Sequence, residues 1–136
     1  MAERAVAPPS GQGPPDEVRL RDGTAVALAG AAATASDRHL ARHPEELARY
    51  GPHTSAWCRH DLQWLLSWAV QDADGQLVDF PTQLDWLVRV LDARGYPLAS
   101  LADARDELAG VAAESRLDGA AHRLRAGAER VRQATA

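Results

Sequence analysis

At 136 residues the chain has the length of one domain, enough to bury a single core. A net charge of −4 excludes an overall basic field that would draw it onto nucleic acid. The single cysteine, Cys58, excludes an internal disulfide and fits a reducing compartment. No apolar run approaches the roughly 18 residues needed to span a bilayer, and the first 17 residues lack a hydrophobic signal core. A cytoplasmic protein without a membrane partner is the expectation. Isoleucine, asparagine and lysine are absent and all 15 basic residues are arginine. The Ala/Leu/Arg/Glu mixture favours helix, and the scarcity of β-branched residues disfavours sheet.

Residues 1–17 hold four prolines and two glycines with little to bury, which predicts a disordered leader. Val18 to Leu20, followed by Arg21-Asp22-Gly23, reads as a short extended segment and turn. From Thr24 to Arg42, Val26, Ala29, Ala33, Ser36 and Leu40 recur at helical spacing and predict a helix with a flat, small-residue face. Pro44 ends that helix and suits the first turn of a short one, Pro44 to Tyr50, where Glu45 and Glu46 complement the dipole. Gly51-Pro52 stops it.

Thr54 to Gln71 is predicted as the third helix, with Trp57, Asp61, Trp64 and Trp68 along one side. Residues 72–75 form a turn. Pro81 opens a fourth helix whose Phe80, Leu84, Leu87 and Leu91 make an apolar stripe, widened by Trp86 and Val90, with Asp85, Arg89 and Asp92 toward water. Gly95 caps it and Pro97 begins the next element. The fifth helix, to about Glu114, turns Leu101, Ala104, Leu108 and Val111 inward. Asp118-Gly119 reads as an interruption before a last helix, Ala120 to Gln133, with Leu117, Ala121, Leu124, Ala128 and Val131 in line. The expected architecture is an all-α bundle of four to six helices: a leader over 1–17, the bundle over 18–114 and a basic C-terminal helix over 115–136.

Several constellations admit both a functional and a structural reading. Trp57, Trp64, Trp68 and Trp86 can wall a pocket for a planar ring such as a tetrapyrrole, with His60 or His53 as an axial ligand, or they supply core volume. A buried tryptophan needs an acceptor for its N–H, and Asp61 is the candidate. His39 and His43 have the spacing of two metal ligands on one helical face, but Pro44 places His43 at the helix end. His60-Asp61 is the dipeptide of HD-type metal-dependent hydrolases, for which His39 and Asp92 would be the nominees to complete the set. Cys58 lies beside Arg59 and His60, but successive helical residues point about 100° apart, which keeps the base from the sulfur and favours an inert thiol. Arg116, Arg123 and Arg130 share a helical face, either solvated or available to an acidic partner. The alanine-rich face opposite buries weakly in a monomer and suits a dimer.

Cys58-Arg59-His60-Asp61-Leu62-Gln63-Trp64, Asp74, Phe80, Trp86-Leu87 and Leu91-Asp92-Ala93-Arg94-Gly95-Tyr96-Pro97 together resemble a poorly characterised helical module of actinobacterial and cyanobacterial proteins. His43-Pro44-Glu45-Glu46-Leu47-Ala48-Arg49-Tyr50-Gly51 resembles the module's entry. The likeness covers about Leu40 to Val111. It implies a bacterial regulatory or scaffold module, sometimes associated with cobalamin-binding or sensory domains. Members carry a histidine where this chain has Leu65, a departure that counts against a bound cofactor. The leading expectation is therefore a non-catalytic regulatory or protein-interaction module acting as a homo-oligomer. A tetrapyrrole sensor using Trp57, His60, Trp64, Trp68 and Trp86, and an HD-type hydrolase, are the alternatives. No metal ligand set or cofactor is assigned.

Overall fold

The computed structural model describes residues 13–134, and the fold is an all-α bundle of six helices with a small β-hairpin at its amino-terminal end. Strands β1 (Glu17–Arg19) and β2 (Ala25–Ala27) pair antiparallel with Val18 opposite Val26. The helices are α1 (Ala29–Arg42), α2 (Pro44–Tyr50), α3 (Thr54–Ala73), α4 (Phe80–Ala93), α5 (Leu98–Glu114) and α6 (Asp118–Ala134). Helices α1, α3, α5 and α6 make the central packing, with α5 against α6 the closest pair. Helix α2 leans on α1 and α3, while α4 lies across α3, α5 and α6.

The expected leader lies outside the described residues for positions 1–12, and its last residues are ordered. The Pro15 carbonyl accepts from Gln63 Nε2 at 2.7 Å, and the Asp16 carbonyl accepts from the Leu28 amide at 2.9 Å. Thr24 to Ala27 is not helical as expected: Ala25–Ala27 belongs to the hairpin, and α1 begins only at Ala29. A three-residue strand carries too little periodicity to announce itself, and Val26 served either pattern. Val18, buried, is the hairpin's contribution to the core.

Three helices end in the same way. After α3, the Gln76 amide reaches the Gln71 carbonyl and the Gly75 amide that of Asp72; Gly75 has φ +74°. After α4, Tyr96 reaches Leu91 and Gly95 reaches Asp92, with Gly95 at φ +76°. After α5, Leu117 reaches Ala112 and residue 116 reaches Ala113, but here the left-handed position at φ +61° is held by Arg116. These double hydrogen bonds satisfy carbonyls that a helix end would otherwise leave open. The break therefore falls at Ser115–Leu117, and Asp118-Gly119, expected to interrupt, instead opens α6.

The apolar stripes land where periodicity puts them. Phe80, Leu84, Leu87 and Leu91 are the buried residues of α4, and Leu101, Ala104, Leu108 and Val111 are buried on α5. The alanine-rich stripe of α6, expected to bury weakly in a monomer, is well buried. Its Ala120, Ala121, Leu124, Gly127, Ala128 and Val131 are buried within the monomer against α3 and α5. Small residues on both α5 and α6 let the backbones approach, so a weak-looking stripe packs closely. No helix among the described residues is long and apolar enough to cross a membrane.

Candidate functional site

The tryptophans do not form one cluster. Trp57 and Trp68 are buried, while Trp64 and Trp86 are half-buried. Trp64 and Trp68, one turn apart on α3, bring their ring centroids to 5.7 Å. Trp57 instead neighbours His53 at 6.0 Å, and Trp86, on α4, makes no ring contact with the tryptophans of α3. The Trp64 Nε1 proton, expected to find Asp61, has no acceptor. Asp61 turns to its neighbour instead, with Oδ1 3.3 Å from His60 Nδ1. None of three cavities lined by described residues has a tryptophan on its wall.

His39 and His43 do lie together, their rings 4.5 Å apart, but His39 Nε2 and both nitrogens of His43 are directed at carboxylates. His39 is fully buried and its Nε2 is 2.6 Å from Glu46 Oε2. The other oxygen, Oε1, accepts from the Tyr96 hydroxyl at 2.7 Å. A buried polar chain thus joins α1, α2 and the loop before α5. Burial pushes the Glu46 carboxyl up, yet the hydrogen bonds from His39 and Tyr96, with the charges of His39 and His43, outweigh it and hold the group below its usual range. Burial, then the adjacent Glu46 carboxylate, push the Tyr96 phenol far up, so it stays a donor. Sequence reasoning gave Glu46 a dipole role and, with His53, a candidate place near His39 and His43, but not burial. Its partners lie 7 and 50 positions away, and nothing local marks it as buried.

The chain ends beside a cavity of about 400 Å³ lined by His39, Arg42, His43, Asp103, Asp106 and Glu107. Its carboxylates are already engaged: Asp103 and Asp106 by Arg132, Glu107 by Arg42, and Asp103 also by His43 Nε2 at 3.3 Å. Among the described residues no group of three His, Cys, Asp or Glu side chains could hold a metal ion. The nominees for an HD-type set are correspondingly scattered, with His39 committed to Glu46, and His60 and Asp61 facing each other on α3. Ser36 Oγ and His39 Nδ1 are both buried without a partner, so they do not bond each other and form no nucleophile–base pair.

The largest of the three cavities, about 700 Å³, opens between α4 and α6. Phe80, Pro81, Leu84, Ala126 and Gly127 line it with apolar surface, Asp72, Asp79, Arg123, Glu129 and Arg130 supply charge, and His122 lies among them. Asp72 anchors one end: Oδ2 accepts from the Phe80 amide at 2.6 Å, and Oδ1 from Arg123 Nε at 3.0 Å. Burial pushes the Asp72 carboxyl up, but those two donors draw it below its usual range. Arg130 makes a two-pronged contact with Asp85 at 2.9 and 3.1 Å. Arg123, Arg130 and Arg132, three of the five C-terminal arginines, thus serve α6 as internal ties rather than as a free basic face.

One residue of chemical consequence escaped sequence reasoning altogether. Arg105 is fully buried, on the core side of α5. It stands four residues from Leu101 and four from Ala109, both buried, so it occupies an apolar position of the 3.6-residue stripe; that register was the signal available. Comparison with protein-family models, curated proteins and solved structures finds no match for this chain.

Proposed function

We propose that this chain is a non-catalytic helical module that regulates or binds a protein partner in the bacterial cytoplasm, acting as a homo-oligomer. The observation that carries this reading is the unfinished face of α4. Its buried stripe is flanked by half-exposed Trp86, Val88 and Val90, and the loop before it presents Leu77 entirely to water. Partly exposed aromatic and aliphatic side chains, rimmed by charge, are what a protein interface buries at its centre. The sequence resemblance to a bacterial regulatory module points the same way.

Light scattering on the purified chain tests this. The wild type is expected at twice the protomer mass or more, and Trp86→Arg with Leu77→Asp at protomer mass with an unchanged far-ultraviolet spectrum. A wild type that stays at protomer mass at every concentration overturns self-association. The sensor reading retains one favourable observation, the ring pair of half-buried Trp64 and buried Trp68, with its unpartnered Trp64 N–H. Added haem or cobalamin that leaves the visible spectrum at that of the free cofactor removes it.

A further inference from the structure

Arg105 has no exposed surface, and its only acceptor among the described residues is the Leu101 carbonyl, 3.3 Å from Nη1. Nε and Nη2 have no partner. Those two nitrogens are one edge of the planar guanidinium, the pair whose parallel N–H bonds match the two oxygens of a carboxylate. The acidic groups that influence Arg105 most are Asp61 and Asp106, and neither comes within ion-pair distance of it. Burial pulls its pKa down to about 9, which leaves it cationic at neutral pH. Folded proteins seldom leave charged donors buried and unmatched.

Arg105 also stands directly behind the α4–α6 cavity. A Cβ placed on Gly127 would meet Leu84 Cδ2 at 2.9 Å, Phe80 Cε2 at 3.0 Å and Arg105 Cδ at 3.3 Å. Leu84, Phe80 and Gly127 line that cavity, so the aliphatic stem of Arg105 packs against the inner side of its wall. Two of the three belong to α4, a helix outside the four-helix centre.

We propose that the α4–α6 cavity admits a small organic monocarboxylate, whose carboxylate receives the Nε and Nη2 protons of Arg105 and whose aliphatic or aromatic body replaces Leu84 and Phe80 against Gly127. A monocarboxylate fits better than a phosphate because one guanidinium edge in an apolar setting supplies two donors and one charge. Binding requires the buried side chains of Leu84 and Phe80 to rotate outward. This inference stands apart from the interface reading, since it uses the core side of α4 rather than its outer face.

The test uses the full chain with octanoate and benzoate as probes and inorganic phosphate as control. Either carboxylate is expected to raise the wild-type melting temperature saturably, with phosphate inert. Arg105→Met, which keeps the length and removes the charge, is expected to melt no lower than the wild type without probe and to bind at least about tenfold more weakly. Should that variant fail to fold, Arg105→Gln gives the same comparison. An independent readout is the Arg105 Nε–H resonance, which is expected to shift on octanoate addition to the wild type. An unmoved resonance, as when a buried water serves the guanidinium, overturns the proposal. So does octanoate affinity that survives Arg105→Met.

Discussion

Helix α2 buries one side chain, the Glu46 carboxylate, whereas α4 buries Phe80, Leu84, Leu87 and Leu91. Both lie outside the four-helix centre, yet one is seated by two hydrogen bonds and the other by apolar area. Area is tolerant: it is roughly additive, indifferent to pH and able to slide. The Glu46 seat is directional. It depends on His39 and Tyr96 being where they are and on the carboxyl being ionised. The lesson is that a helix with almost no hydrophobic face can still be fixed, provided one charge is fully matched inside.

The largest effect is expected from Leu84→Ala. Removing a fully buried leucine between α4 and α6 should cost about 2–5 kcal/mol in denaturant unfolding, equally at pH 5 and pH 8. Gly127→Ala attacks the same contact from the other side. Its new methyl meets Leu84 and Phe80 at about 3 Å, both packed side chains, so a loss of about 1–3 kcal/mol is expected, together with faster amide exchange in the first turns of α4. Glu46→Gln should cost about 1–3 kcal/mol at neutral pH, because it replaces a charged acceptor of two buried donors with a mixed amide. In that variant amide exchange should accelerate in α2 and leave α4 unchanged; acceleration in both would erase the distinction between the two seats.

The smallest effect serves as a control outside both helices. Arg116→Gly should stabilise the chain by roughly 0.5–1 kcal/mol, since glycine adopts a positive φ without the steric cost borne by arginine. It should shift the melting temperature without altering the relative exchange of α2 and α4.

Much of the fold was legible because it depends on period and punctuation. Pro44 and Gly51 bracketed α2 correctly, and the Phe80–Leu91 stripe named the residues that α4 buries. The end of α5 at Glu114 and the extended segment 18–20 were legible, whereas the second strand and the start of α6 at Asp118 were missed for local reasons. A three-residue strand is shorter than any periodic signal, and Arg116 sits where Gly75 and Gly95 would have announced the end of a helix. The candidate site was far less legible. Histidine spacing drew attention to His39 and His43 as a pair, whereas His39 answers to Glu46, whose other oxygen is held by Tyr96, brought near by folding alone. Arg105 carried a readable signal, a cation on an apolar register, but its unmatched guanidinium edge follows from packing. The tryptophans stood out by size, and size predicted burial for Trp57 and Trp68 but not a common pocket.

The seat of α2 is tested most directly by unfolding the wild type and Glu46→Gln side by side as pH falls. Because the folded-state carboxyl titrates below its ordinary value of 4.5, its contribution is present above that pH and lost as the pH drops through the lower folded value. The stability gap between the two proteins is therefore expected to stay constant from pH 7 to about 5 and to close below about 4.5. A gap that persists unchanged into strong acid, or no gap at neutral pH, would contradict an ionised Glu46 as what holds the helix.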